Sequence, residues 1–532
     1  MNKQTLVLLA GTLVAGSLFA EPQPYSFLKN FKGGWDRRKP VEFITEADGS
    51  RILKLGGSDD YKMRGSLDIK NIDKALEAFR GYEVDFVVEY KLENAKLCPN
   101  QWAKDRPEDF KLILWHWEHA NAEYSSWVRP VVKFPEGGNT DGWVTERFHS
   151  CVMADDELGK AGVGLMATFG TGGSIYFKDF RIEVSPRKVM EEAAAKVGVK
   201  IPEGYKCEYS EKWLDGKKYR GTVCIWEFGP QDLEKIVSWG CNLVRMSRFK
   251  PLTDDYNKLE ERLAVLKKHN VKVIFAPMAP GGKGNRKKYA IFNDDQMRAD
   301  FIKGWEKLAT YFKGRDDIWA FGILNEPFQN YFGNQDDKYS YWGLVHDAIK
   351  AIRAIDPDRC IVATADTGGS PADYRPPYML PYPFKDVWYE LHFYSPLVMT
   401  HYGVLGKDIN PEKDRYPGLT VRKLHVWNKE MLGKVLDESK FFGDKYGAKF
   451  FVGEFSCHRT VPDAAQWLDD AADEIDKRFD LWAYHSYGEY DGWNLEYKED
   501  KWGVKAEKCA PGEESARMKV MKKYWSRNAE NK

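Results

Sequence analysis

The feature that most constrains this chain is a change of rhythm near residue 204. From Gly204 onward, apolar runs of four to six residues are each followed by an amphipathic helical stretch. This pattern argues for parallel strands joined by crossover helices, because parallel neighbours cannot be linked by a tight turn. The runs Thr222–Trp226, Asn242–Met246, Lys272–Ala276, Trp319–Leu324, Cys360–Ala365, Val387–Phe393, Phe450–Gly453 and Leu481–His485 read as eight strands. Helical patterns fall at Gln231–Trp239, Tyr256–His269, Gln296–Phe312, Trp342–Ile355, Leu424–Tyr446 and Ala464–Phe479. Together they predict an α/β fold, a (β/α)8 TIM barrel over residues 203–532, with its active site at the C-terminal strand ends.

Upstream the period is two. Between Tyr25 and Val184, short alternating runs are split by Gly, Asp and Asn turns, which predicts an all-β sandwich domain over 24–186. In Tyr82–Tyr90 the residues Tyr82, Val84, Phe86, Val88 and Tyr90 share one face. Glu83, Asp85 and Glu89 fall on the other, as in a half-buried strand with one wet side. Similar runs occur at Lys111–Trp117, Trp127–Phe134, Trp143–Met153, Val163–Phe169 and Ser174–Val184. Between the two regions, Val189, Met190, Ala193, Ala194 and Val197 recur at helical spacing and Gly198 supplies a stop, so 187–202 reads as a linker helix. A chain of 532 residues exceeds what one core serves and is expected to divide in this way.

Residues 1–20 carry Lys3, an apolar run Leu6–Phe19 and Ala20 ahead of the polar Glu21-Pro22-Gln23. This is the layout of a signal peptide, and it predicts a secreted or periplasmic protein. No later run approaches the ~20 apolar residues of a membrane span. Lys plus Arg and Asp plus Glu both total 80, which leaves no charge handle for nucleic acid and points to an uncharged partner. A monomer is expected. The 19 Trp and 28 Tyr offer flat faces suited to sugar rings, although a rich core gives the same count. Of the eight Cys, Cys224 and Cys241 lie at strands as candidate buried thiols. Cys207 and Cys509 flank the barrel, whose ends must meet, and the sequence admits a bridge between them.

The chemistry is suggested by two strand ends. The fourth apolar strand runs directly into Asn325-Glu326-Pro327, and the seventh into Glu454-Phe455, so two carboxylates converge on one mouth. Cleaving a glycosidic bond needs one carboxyl to protonate the leaving oxygen and another to attack, or to activate water, at the opposite face. Either Glu alone could be an ordinary polar strand end; the pair carries the argument.

On these residues the barrel resembles glycoside hydrolase family 5, within a clan of retaining (β/α)8 glycosidases. The resemblance implies that Glu326, in Asn325-Glu326-Pro327, is the general acid/base and that Glu454, in Val452-Gly453-Glu454-Phe455, is the nucleophile. It implies that Asn325 binds the hydroxyl beside the reacting carbon and that Arg245 hydrogen-bonds the nucleophile and keeps it ionised. Glu326, by contrast, needs a drier setting or a negative neighbour to stay protonated. His392 and Tyr394, in Leu391-His392-Phe393-Tyr394, match the family's sixth strand and place Tyr394 near the nucleophile. Taken alone, Arg245 would suit a surface ion pair and His392 a satisfied core histidine.

Two positions depart from the family. Met278 stands where a sugar-contacting His is common, and His485 where a substrate-stacking Trp is usual. Trp493 is the candidate replacement platform, or else a loop anchor. The sandwich resembles carbohydrate-binding jelly rolls, chiefly through Gly173–Phe180; Trp115, Trp117 and Trp127 either stack on a glycan or fill its core. His116-Trp117-Glu118-His119 lacks the helical spacing of a zinc protease, no nucleotide fingerprint is present, and neither metal nor cofactor is expected. The expectation is a retaining hydrolase of β-linked polysaccharide, β-1,4-glucan first and mannan second. A transglycosylase shares these residues, and a non-catalytic glycan-binding barrel is the alternative of another class.

Overall fold

The computed structural model describes residues 22–30, 41–57, 66–69, 76–79, 82–96, 111–113, 115–120, 125–128, 131–133, 135–151, 162–166, 172–213, 216–277, 290–327, 329, 337–374, 378–404, 409–410, 412–421 and 425–531. The signal-like segment and Met278 lie outside the described residues, as do the side chains of Trp115, Trp117 and Trp127. The chain divides into two compact units, the second consisting mainly of Arg187 onward.

The first unit is built from antiparallel strands. One sheet has the order Val144–Cys151, Glu83–Glu93, Ser174–Val184, Arg51–Gly56, Val41–Thr45, with Tyr25–Ser26 also paired to Ser174–Val184. A second has the order Ser66–Ile69, Gly162–Met166, Trp115–Ala120, Ser125–Val128. The run from His116 to His119 therefore lies in a strand. Val84, Phe86, Val88 and Tyr90 are buried as their alternation requires; on the opposite face Glu89 is partly exposed as expected, but the earlier part of the strand is not wet. Glu83 and Asp85 are 2% and 4% exposed. His149 sits between them, Nε2 3.1 Å from Glu83 Oε2 and Nδ1 3.2 Å from Asp85 Oδ1. Buried carboxylates persist when a partner answers their charge. Burial opposes the charge on His149, yet its bonds to Asp85 and Glu83 raise its pKa.

The second unit is a closed barrel of eight parallel strands. They are β1 (Tyr219–Ile225), β2 (Leu243–Ser247), β3 (Lys272–Ala276), β4 (Ile318–Gly322), β5 (Cys360–Thr364), β6 (Val387–Phe393), β7 (Phe450–Phe455) and β8 (Leu481–Tyr487). β8 pairs with β1 and closes the ring. Side chains alternate between the layer against the helices and the interior. Val244 and Met246 of β2 join the outer core, while Leu243 packs inside with Val223, Ile274, Val362, Trp388 and Phe451. Along β6 the inward series is Trp388, Glu390, His392, so the interior turns from apolar to charged toward the mouth.

The helices begin where the sequence supplies caps. Asp255, Asp294 and Ser340 accept backbone N–H groups of the first turns of Tyr256–Lys268, Asp295–Phe312 and Tyr341–Ile355. The stretch expected as one helix over Leu424–Tyr446 is instead a short strand pair, Thr420–Val421 with His425–Val426, followed by two helices. Asn428 starts the first, Lys429–Leu436, by accepting Met431 N–H, and Gly447 ends the second, Lys440–Tyr446, at φ 66°. The helix Val189–Lys196 buries Val189, Met190, Ala193 and Ala194. Met190 and Ala194 enter the barrel's outer core, so this helix is part of the second unit.

Cys207 and Cys509 are both free thiols. The barrel's ends do meet, but through the last helix, Ala516–Trp525, whose Trp525 indole donates to Gly221 O at 3.2 Å. Cys207 is held elsewhere, its N–H bonded to Tyr446 O at 2.7 Å, while Cys509 N–H bonds to Glu496 O at 2.8 Å.

That last helix also fixes the chain that follows β8. Arg517 is 0% exposed, and its guanidinium donates to the carbonyls of Cys457, Gly492, Asn494 and Tyr497 and to Glu499. Removing a buried cation strands several acceptors at once. Arg517→Met is expected to cost about 3–5 kcal/mol, read as a lower urea midpoint for the barrel's unfolding.

Candidate active site

Every candidate site residue proposed from the sequence reaches one constellation at the C-terminal ends of β2, β4, β6, β7 and β8. Arg245, from β2, lies at its base. Its Nη1 donates to Glu454 Oε1 at 3.2 Å and its Nη2 to Asn325 Oδ1 at 2.5 Å. Its Nε lies 2.6 Å from Glu390 Oε1. With 1% exposure it is a buried ionic hub and not a surface pair.

Glu454 reaches this point through an irregularity in β7. Leu391 pairs with Val452 but His392 pairs with Glu454, so the register shifts around Gly453. A shift of this kind re-aims the side chain that follows it. A Cβ on Gly453 would stand 1.8 Å from Glu390 Oε1, which only glycine permits. Glu454 Oε2 accepts from the Tyr394 hydroxyl at 2.8 Å. Burial, followed by the negative charge of Glu454, pushes the Tyr394 phenol well above its ordinary value and keeps it a donor.

Glu326 follows β4 at φ 42°. A non-glycine residue in this left-handed region costs on the order of 1–3 kcal/mol and persists where the surroundings over-determine it. Its side chain is 29% exposed, and its Oε1 lies 3.0 Å from His392 Nδ1. The expected dry pocket is therefore a contact with a histidine, and the negative neighbour is Glu454. One ligand atom each of Glu326, His392 and Glu454 lie within 4.8 Å of one another. Such a group could close on a cation, but His392 already meets a carboxylate at each nitrogen, with Nε2 3.3 Å from Glu390 Oε1. Burial alone would strip a proton from His392. The charge of Glu454 and the bonds to Glu326 and Glu390 outweigh it and raise the pKa to about 10.

His485 is not placed to stack on a sugar. Its Nδ1 lies 3.0 Å from the Tyr394 hydroxyl and its Nε2 2.9 Å from Glu489 Oε2. Trp493 covers it, with ring centroids 5.3 Å from His485, 4.9 Å from His401 and 6.1 Å from Tyr394. The Trp493 indole is tied to Thr400 O at 3.2 Å while its ring stays partly exposed, so it is both loop anchor and open aromatic face.

Residues 212–491, which carry this constellation, match the family model described as Cellulase (glycosyl hydrolase family 5). The chain belongs to glycosyl hydrolase family 5. This family-5 hydrolase is similar to a solved glycoside hydrolase at 21% identity and TM-score 0.46, covering 58% of this chain and 99% of that one. It is similar to the endoglucanase Cel5A of Thermotoga maritima at 17% and 0.44, over 58% and 97%. A third similarity is to the cellulose synthase subunit Z of Clostridioides difficile, at 17% and 0.42 over 57% and 99%. No curated protein matches it. No helix among the described residues is long and apolar enough to cross a membrane.

Sequence reading missed Glu390, Glu489 and Arg248. Glu390 had a signal, a lone acid inside the apolar run Val387–Phe393. Glu489 had none, since it follows β8 in a polar turn. Glu489 bonds both His485 and Arg248. Burial opposes its charge, but His485 and Arg248 bring its pKa down to about 2. A carboxylate depressed in this way stabilises the fold above its unfolded value of about 4.5 and loses that contribution as pH falls toward 2. Glu489→Gln is expected to lower the melting temperature at pH 7, by an amount equivalent to about 3 kcal/mol at most. The gap from the parent should narrow steadily between pH 5 and pH 3 in thermal melts.

Proposed function

We propose that the protein is an exported hydrolase of β-linked polysaccharide, β-1,4-glucan first, acting with retention through Glu454 as nucleophile and Glu326 as acid/base. The observation that carries the reading is the closeness of the two carboxylates, one oxygen of Glu326 lying within 4.8 Å of one oxygen of Glu454. Retaining enzymes hold their carboxyls ~5–5.5 Å apart, whereas inverting enzymes need ~6.5–9.5 Å to seat a water between them.

The first step forms a bond from a Glu454 oxygen to the anomeric carbon as the bond to the leaving oxygen breaks, and Glu326 gives that oxygen its proton. Water then attacks the glycosyl–Glu454 ester, loses a proton to Glu326 and releases Glu454. Arg245 and Tyr394 each hold one oxygen of Glu454. They orient it for attack and stabilise it again as it leaves. Asn325, pinned by Arg245 through its carbonyl oxygen, keeps its amide donors for the neighbouring hydroxyl. Glucan as first substrate rests on membership of a cellulase family. The first unit is proposed to be the glycan-holding jelly roll, a reading supported by its antiparallel sheets.

Glu326→Gln and Glu454→Gln are each expected to lose about 10²–10⁴-fold or more in kcat on purified β-glucans and β-mannans. Proton NMR should show the first-released sugar with the anomeric configuration of the bond that was cut. The opposite anomer, or unchanged turnover in both variants, rejects the mechanism. Trp493→Ala should raise KM about 3- to 10-fold with a smaller change in kcat, through loss of its ring face.

A further inference from the structure

Below the two catalytic glutamates lies a third carboxylate that the double displacement does not use. Glu390, 1% exposed, touches Arg245 Nε at 2.6 Å, His392 Nε2 at 3.3 Å and Thr364 Oγ1 at 3.2 Å. It enters the space that a side chain on Gly453 would fill. Burying an anion there is costly unless it is paired, and both of its charged partners are the groups that meet the catalytic pair.

We propose that Glu390 is a positioning residue: it anchors Arg245 and His392 from beneath, so that one meets Glu454 and the other Glu326 in fixed geometry. This rests on the retaining reading. Arg245 is gripped on three sides, by Glu390, Glu454 and Asn325. Without the first grip the guanidinium is held only through its two terminal nitrogens, by Glu454 and Asn325. For His392, an anion at Nε2 keeps a proton on that nitrogen, which leaves Nδ1 as the nitrogen that shares a proton with Glu326. Glu326 must be acid in one step and base in the next, and a ring fixed in this way supports both states without turning over.

The charges around His392 come from four strands. Glu390 shares its strand, Glu326 follows β4, Glu454 ends β7, and Arg245 on β2 lies beyond Glu390. His401 and His485 face the catalytic glutamates. Burial opposes the charge of Glu390, while Arg245 and His392 hold its pKa below the usual value. Removing its charge takes one of three carboxylates away from His392.

Glu390→Gln keeps the shape under Gly453 and removes the charge. It is expected to lower kcat about 10- to 100-fold with KM within twofold, and to move the alkaline limb of the kcat profile down by one pH unit or more. Glu390→Asp, which restores the charge, should return that limb toward its original position. A uniform loss of kcat with an unmoved limb in Glu390→Gln overturns the proposal, because a merely structural role predicts that outcome.

A second measurement needs no turnover. In protein labelled with ¹⁵N-histidine, the His392 signals, assigned by their loss in His392→Asn, should stay imidazolium to pH 8.5 in the parent chain and become neutral at lower pH in Glu390→Gln. A His392 already neutral at pH 7.5 in the parent also overturns it. Should Glu326→Gln and Glu454→Gln leave turnover unchanged, the retaining reading falls, while these spectra still decide what Glu390 does.

Discussion

The site depends on one buried guanidinium. Arg245 cannot be left uncompensated inside a barrel, and the groups that compensate it are Glu454, the Asn325 that precedes Glu326, and Glu390 beneath both. Desolvation would weaken the charge of an isolated arginine; here Glu390 and Glu454 outweigh it and raise its pKa. One cation therefore sets the relative positions of three strand ends. The oxygens of Glu454 are held by the same network that makes its burial tolerable.

Much of this is legible in the order of residues alone. Parallel strands with crossover helices fix the barrel, the barrel fixes which ends carry chemistry, and Glu326 and Glu454 stand at two such ends. Arg245, Asn325, His392 and Tyr394 follow from the motifs around them. Illegible are the things that depend on which groups meet. A histidine in place of an aromatic at 485 reads as a lost platform. In space it is an orienting residue, since Tyr394 and Glu489 take both its nitrogens. Trp493, 93 residues beyond Thr400 on a different strand's loop, shows its place only when that loop folds back to the Thr400 carbonyl.

The first unit teaches a related limit. Alternation in Glu83–Glu93 correctly names two faces, but period two cannot say which face is wet. Glu83 and Asp85 look solvated until His149 arrives from the neighbouring strand. Their burial is a tertiary event, written in residues more than 60 positions apart. The same logic separates the expected bridge from the observed thiols: the ends of the barrel meet, but at Trp525 and Gly221 and not at the two cysteines that flank it.

Gly453 and Glu390 occupy the same volume from opposite sides of a strand pair. A chain that gains a side chain at 453 must give up the glutamate at 390, and one that keeps the glutamate is bound to the glycine. The two positions thus form a single packing unit, in which the glutamate requires the glycine. The backbone of the strand that carries Glu454 is shaped by a side chain on its neighbour.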